Sequence, residues 1–344
     1  MSQNSAAWIT APRAKPLEIK EAPLWKAGPG EVIVKNAAVA INPVEWKIQD
    51  SELLPMTYPN ILGADVAGVV EEVGEGVTRL QKGQRVMAYA TSIDTSDPSQ
   101  GGFQLYTRCQ ETLVSPIPDT LSFEQAVVLP LAISTAAAGL YEKTMLNLPF
   151  PTVNGEKPGV GKTLLVWGAA SSVGSAAVQL AAASGLRVVA TASARNHEFV
   201  SALGASSVVD YGSPSVVEDV VAAVRESGEF VGVFDSISGG NTFELVGRVL
   251  DVLGTAKVAV VMPPPENLSK SVQPLMVLSF TIPKPPHEEV GDAVWRKYVP
   301  EALQRGLMQA KPDPLVVGTG LEKIQEAIDR QKAGVSAKKV VVLL

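Results

Sequence analysis

The stretch whose residue types and order most directly imply chemistry is Thr163-Leu-Leu-Val-Trp-Gly-Ala-Ala-Ser-Ser-Val-Gly174. An apolar strand runs into a turn of small residues, and a helix-forming run follows at once. The unpaired N–H groups and positive dipole end of such a helix attract an anion, and pyrophosphate is the anion this context suits. Gly168 permits the tight bend. Ser171, Ser172 and Val173 offer backbone N–H groups, and Gly174 lets the helix lie close to the strand. Ala170 breaks the strict G-x-G-x-x-G spacing, so the strand-turn-helix context carries the expectation of a dinucleotide, not the motif.

The next strand end chooses the dinucleotide. A site that holds a free ribose 2′-hydroxyl places Asp or Glu there. Thr191-Ala-Ser-Ala-Arg-Asn196 has no carboxylate. Ser193, Arg195 and Asn196 instead offer donors and a counter-charge to a 2′-phosphate, which predicts NADPH. Tyr211, after the third strand, flanks the same adenosine end or packs. Asp235, Ser236 and Ile237 end the fourth strand, where ligands of open α/β sheets sit, and are expected to face the nicotinamide. Gly159-Val-Gly-Lys-Thr163 imitates the end of a P-loop. Glu156 stands where its first glycine belongs, however, and the Lys-Thr pair precedes a strand, so it cannot wrap phosphates.

The elements around these residues fall into two styles. Up to about Pro118, short β-branched runs such as Glu31–Ala40 and Asp65–Val73, punctuated by Gly74, Gly76 and Gly83, predict a partly open barrel. Glu124–Tyr141 reads as helix interrupted near Pro130. After a Pro/Gly loop at Leu148–Lys162, strands at Thr163–Trp167, Arg187–Thr191, Ser207–Asp210, Phe230–Asp235 and Thr255–Val261 alternate with helices. That alternation predicts a parallel sheet covered on both faces. Beyond two proline clusters, Glu288–Gly306 and Leu321–Gly334 read as helices and Lys339–Leu343 as a last strand. The expected division is 1–125, 126–280 and 281–344, the last segment returning to the first domain.

Composition excludes several classes. There are 29 Lys+Arg against 35 Asp+Glu, a formal charge of −6, which suits no nucleic-acid backbone. One cysteine, Cys109, permits no intrachain disulfide, and with only His197 and His287 beside it a zinc site is not expected. Thr163–Leu186 carries no charge and is long enough to cross a bilayer, but its Ala, Ser and Gly content reads as a buried strand-turn-helix, so no membrane span is expected. The start, Met-Ser-Gln-Asn-Ser-Ala-Ala-Trp, lacks a basic n-region and an apolar core, and the expectation is a cytoplasmic chain.

A barrel, then a dinucleotide fold, then a return to the barrel resembles the medium-chain dehydrogenase/reductase superfamily. The residues carrying the likeness are Ala40-Ile-Asn-Pro-Val-Glu-Trp-Lys47, Leu62-Gly-Ala-Asp-Val-Ala-Gly68, Leu129-Pro-Leu-Ala-Ile-Ser-Thr135 and the nucleotide turn. The resemblance implies an α/β protein with a GroES-like β-barrel catalytic domain and a Rossmann doubly wound sheet. Zinc-dependent members have a metal-binding Cys near position 42 and Gly-His-Glu near 63. Here Asn42-Pro43 and Gly63-Ala64-Asp65 stand there, and the four-cysteine lobe is missing, so no metal is expected. The chain thus looks like the zinc-free quinone and enoyl reductase branch, and most like fungal enoyl reductases acting in trans with polyketide synthases and like toxin-biosynthesis reductases.

That likeness implies hydride transfer to the β-carbon of an enoyl thioester, enone or quinone. Without a metal the site must donate hydrogen bonds to the enolate oxygen and protonate the α-carbon. It places Pro43 and Lys47 at the cofactor. Lys47 stabilises the enolate or bonds the nicotinamide ribose, Thr135 is a donor in the cleft, and Tyr58 is a proton donor in competition with solvent. An NADPH-binding accessory protein of the same fold and a metal-free carbonyl reductase stand as alternatives. Partners implied are a small-molecule or carrier-bound acyl substrate and a polyketide synthase. Prolines around the edge strand, about Pro274–Ile282, predict a monomer.

Overall fold

The computed structural model describes residues 3–344; the first two residues of the predicted 1–125 domain, and of the start read for a signal, lie outside the described residues. The chain forms two compact units. One runs to Leu131 and takes back Ala310–Leu344, and the other is Ala132–Gln309.

The first unit is built on Glu31–Ala40, whose β-branched run pairs along one edge with Asp65–Val73. Its other edge is shared, Glu31–Lys35 against Tyr106–Gln110 and Ala38–Ala40 against Lys338–Leu343. The sheet has seven strands, with Asp313–Thr319 at one end and Val114–Pro116 at the other, so strand pairing does not close it. A smaller sheet joins Asn4–Ile9, Glu18–Ala22 and Asn60–Ile61. Two helices matter for the site: Pro43–Ser51 leaves the end of Glu31–Ala40, and Ile324–Lys332 packs on both that helix and Lys338–Leu343.

The second unit is a six-stranded parallel sheet. Its order is Ser207–Asp210, Arg187–Ala192, Lys162–Trp167, Glu229–Asp235, Ala256–Val260, Val272–Met276. Counted within the unit this is 3-2-1-4-5-6, the doubly wound Rossmann order, and the α/β class expected from the sequence holds. The helices follow from apolar stripes. In Val216–Arg225 the buried residues are Val216, Val217, Val220, Val221 and Val224, one face of a 3.6-residue period. Each contributes roughly 1.5 kcal/mol of burial.

The division differs from the expected one most after residue 280. Residues 281–309 belong to the nucleotide unit. They stay there because Val290, Val294, Trp295 and Val299 are buried, and the Trp295 indole donates to Ser134 Oγ at 3.1 Å. The segment Asp292–Tyr298 is π-helical. Pro300 supplies the reason, since it lacks the N–H for the preceding turn and its ring crowds the carbonyl four residues back. Thr163–Leu186 resolves into the strand Lys162–Trp167 and the helix Ser172–Ala183. A different run, Phe123–Tyr141, has the length and apolarity of a membrane span, but most of it is buried in the fold.

Candidate active site

In the second unit the nucleotide turn is held from beneath. Gly168 has φ +76°, and its N–H donates to Thr191 Oγ1 at 3.0 Å. Ser171 caps the helix, its Oγ accepting the Gly174 N–H at 3.0 Å and donating to Ser236 Oγ at 3.0 Å. Ser236 Oγ in turn donates to the Trp167 carbonyl at 2.7 Å. The turn is therefore held together by four serine and glycine positions, Gly168, Ser171, Gly174 and Ser236.

This corrects one detail of the sequence reading. The Ser171 N–H is already bonded to the Gly168 carbonyl at 3.0 Å, so it is not offered outward. The N–H groups of Ser172 and Val173 have no partner among the described residues, and both residues are partly exposed. They are the pair left for an anion at the positive end of a twelve-residue helix. A methyl group on Gly174 would lie 2.4 Å from the Gly168 carbonyl oxygen, so only glycine lets the helix start this close to the strand. These residues fit a dinucleotide diphosphate. Ser172 and Val173 would hold it, with Gly168 and Gly174 shaping the bed.

Around that turn the predicted residues divide. Arg195 is exposed and makes no ion pair among the described residues, while Ser193 Oγ accepts from Asn196 Nδ2 at 3.0 Å. Tyr211 is 48% exposed and follows the third strand. Ile237 packs over Gly168, since a methyl there would come 2.3 Å from its Cγ1. Asp235 is a correction. Its carboxylate is fully buried and accepts from the N–H groups of Ile237 at 3.0 Å and Ser238 at 2.9 Å and from Thr242 Oγ1 at 3.0 Å. It shapes the loop after the strand and has no face left for a cofactor. Burial also pushes its carboxyl up from the usual carboxylate range. Thr135, 7% exposed, also lies in this unit, one residue after Ser134.

Lys47, Pro43 and Tyr58 lie in the first unit. Pro43 opens the helix Pro43–Ser51, where its missing N–H costs nothing. Lys47 follows one turn later, with Nζ 5.5 Å from the centre of the Trp46 ring. Partial burial lowers its ammonium from the usual range. Tyr58 is held harder to ionise than a free phenol, first by burial and then by the charge of Glu52.

Behind Lys47 lies a group that sequence reasoning missed. The N-cap residue Asn42 forms a capping box with Glu45, and its side chain also bonds outside the helix. Its Nδ2 donates to Asp65 Oδ2 at 2.8 Å, and its Oδ1 accepts from Lys339 Nζ. Lys339 Nζ also pairs with Asp65 Oδ2 at 2.8 Å, and Asp65 Oδ1 accepts the Leu131 N–H at 2.6 Å. Glu45, fully buried, accepts the Asn42 N–H at 2.6 Å. Burial first, then the neighbouring Asp65, pushes the Glu45 carboxyl up to about 8, against a downward pull from Lys339. The available signal was the strand Lys338–Leu343 itself: its second residue is 3% exposed, and a lysine inside an apolar strand needs an acid partner.

Comparison with known proteins fits this architecture. Residues 28–119 match the alcohol dehydrogenase GroES-like domain and residues 172–284 the zinc-binding dehydrogenase domain. The trans-enoyl reductase himH of Aspergillus japonicus is 43% identical over 98% of this chain and 97% of its own. The dehydrogenase orsE of Emericella nidulans is 40% identical over the whole of both chains. Among solved structures, an alcohol dehydrogenase superfamily protein from Novosphingobium aromaticivorans superposes over 100% of both chains with TM-score 0.79 at 22% identity. The CurK enoyl reductase does so over 99% of both with TM-score 0.73 at 21% identity. A GroES-like unit joined to a Rossmann unit defines an oxidoreductase of the dehydrogenase class. The chain belongs to the medium-chain dehydrogenase/reductase superfamily.

The name of the second matched domain implies zinc, and the residues here do not fit it. At the positions where the likeness to zinc-dependent members puts Cys and Gly-His-Glu, the side chains are an amide, a methyl group and a carboxylate. Both the amide and the carboxylate oxygens are already bonded by the Lys339 ammonium. Zinc asks for thiolate or imidazole donors and no competing cation. Among the described residues, no group of three or more His, Cys, Asp and Glu side chains could hold a metal ion.

Proposed function

We propose that this oxidoreductase is an NADPH-dependent, zinc-independent reductase of activated C=C bonds, acting in trans on an acyl thioester carried by a polyketide synthase. The likeness that carries the reaction is the 43% identity, over nearly the full length of both chains, to a protein named a trans-enoyl reductase. The cofactor choice rests on the carboxylate-free end of Arg187–Ala192, with Ser193, Arg195 and Asn196 after it.

When bound, the dinucleotide supplies the hydride. Ser172 and Val173 hold its diphosphate, and Arg195 with Ser193 holds the 2′-phosphate. As charge moves to the substrate carbonyl oxygen, a preorganised donor is worth most there. Lys47 and Thr135 are the donors proposed. The α-carbon takes its proton from Tyr58, which remains protonated through neutral pH, or from water.

The test is titration, metal analysis and turnover on purified protein. At about 100 times Kd, NADPH should stabilise the fold by ~2.7 kcal/mol, visible as a higher melting temperature, and NADH at the same concentration should do much less. NADPH should be oxidised by at least one of a panel of enoyl thioesters, enones and quinones, giving the saturated product. Stoichiometric zinc, equal shifts with the two dinucleotides, or no oxidation across the panel would each refute the corresponding part. Lys47→Met should lower turnover by about 100-fold while the NADPH shift persists; unchanged turnover removes Lys47 from the reaction.

A monomer is proposed with it. Val272–Met276 is the outer strand of the nucleotide sheet. Ser271 O and Val277 N bond toward Ala256–Val260, so by alternation Val272, Pro274 and Met276 point to the free edge. Pro274 has no N–H to give another strand there. Light scattering should return a mass near 36.1 kDa, and a dimeric mass overturns the reading.

A further inference from the structure

Lys339 is the one buried Lys or Arg among the described residues, and it is 297 positions from its partner Asn42. Its ammonium joins two groups that hold separate elements. Asn42 begins the helix Pro43–Ser51. Asp65 begins the strand Asp65–Val73 and accepts the N–H of Leu131. An N-cap asparagine ordinarily bonds its own helix. Here its side chain shares the capping box with Glu45 and also bonds Asp65 and Lys339, so the start of the helix is tied to the cluster. The other end of the same helix is also tied to the C-terminal segment. Gln49 Nε2 donates to Gln325 Oε1 at 2.9 Å, and Lys332 pairs with Asp50 at 2.5 Å.

We propose that Lys339 is a positioning residue for Lys47: by clamping Asn42 to Asp65 it fixes the first turn of the helix from which Lys47 projects. The proposal rests on the reading of Lys47 as the ammonium that serves the reaction. Removing Lys339 would leave the Asp65 carboxylate buried without its cation and Asn42 Oδ1 without its donor, and both would relax by shifting the helix start. Arginine retains the charge and can reach both oxygens, so it should restore much of the clamp.

Two measurements test this. The first needs no substrate. Amide hydrogen exchange in peptides covering 43–51 should be at least ten-fold faster in Lys339→Met than in the wild type, and Lys339→Arg should bring it back to within about three-fold. Unchanged exchange overturns the proposal. The second is a double-mutant cycle on NADPH oxidation with the fastest substrate of the panel. Lys339→Met should lower kcat about ten-fold with KM for NADPH little changed, and should cost less than two-fold when Lys47 is already Met. Equal losses in the two backgrounds overturn the positioning role while leaving Lys47 catalytic. No loss from Lys47→Met overturns the catalytic reading and this role with it. If Lys339→Met folds poorly, Asp65→Asn/Lys339→Met removes the stranded charge. Recovery of melting temperature without recovery of kcat supports positioning, and recovery of both makes Lys339 structural only and overturns the proposal.

Discussion

Alanine at Gly174 should abolish the dinucleotide-induced rise in melting temperature and lower the melting temperature of the unliganded protein. The added methyl would meet the Gly168 carbonyl oxygen at 2.4 Å, Ala169 Cα at 2.7 Å and Ser236 Oγ at 2.9 Å. Two of these are backbone atoms, so no rotamer change relieves them. Either the turn opens or the helix Ser172–Ala183 withdraws. Overpacking of this kind costs about 1–3 kcal/mol, and backbone contacts put it at the upper end. In a unit of this size that is a fall of roughly 5–10 °C. The same movement carries the Ser172 and Val173 N–H groups off their present directions and breaks the Ser171 cap, whose acceptor and donor distances are both 3.0 Å. Gly239 is the control in the neighbouring loop, because a methyl there would meet only the Ile237 carbonyl at 3.7 Å. Its alanine variant should stay within about 0.5 kcal/mol of the parent. A Gly174→Ala protein with parental melting temperature and a full NADPH shift would show that the turn is not the diphosphate bed.

The nucleotide unit was legible in the sequence because its central strands are buried on both faces. Such strands read as unbroken apolar runs, and the glycines between them mark where each run stops. The same reasoning gave no warning of the helix Pro43–Ser51. It is short, mostly polar, and follows a strand without a glycine break, so its place is set by tertiary bonds at Asn42, Gln49 and Asp50 rather than by periodicity. Asp235 shows a different failure. Position at a strand end predicted a ligand-facing carboxylate, yet three local donors turn it into the loop. A one-dimensional pattern locates the residue but not the direction of its side chain. The cluster around Lys339 was illegible for a related reason. Asn42, Glu45, Asp65 and Lys339 are scattered over most of the chain, and nothing in the order of residues says that they meet. Only the pairing of Glu31–Ala40 with both Asp65–Val73 and Lys338–Leu343 brings them together.

Glu45→Gln should make the protein more stable at pH 8.5 than its parent and leave it nearly unchanged at pH 5. The Glu45 carboxyl is fully buried and pushed up to about 8 from the ordinary value of 4.5. Between those values the folded chain keeps a proton that the unfolded chain has released. The unfolded state then binds fewer protons, so stability falls as pH rises through this window and levels off above the folded value. At about 1.4 kcal/mol per pH unit the loss is about 5 kcal/mol if the whole window is traversed. Glutamine carries no charge at either end and keeps an oxygen to accept the Asn42 N–H that Glu45 accepts now at 2.6 Å. The buried carboxyls of Asp235 and Glu142 are also raised and tilt the pH dependence in the same direction. They are unaltered in the variant, so the difference between the two denaturation curves isolates Glu45. That difference should grow from within about 1 kcal/mol at pH 5 to about 2–4 kcal/mol at pH 8.5. Parallel curves would mean that Asp65 and Lys339 leave Glu45 ionised throughout, with both charges of the acid pair sharing one ammonium.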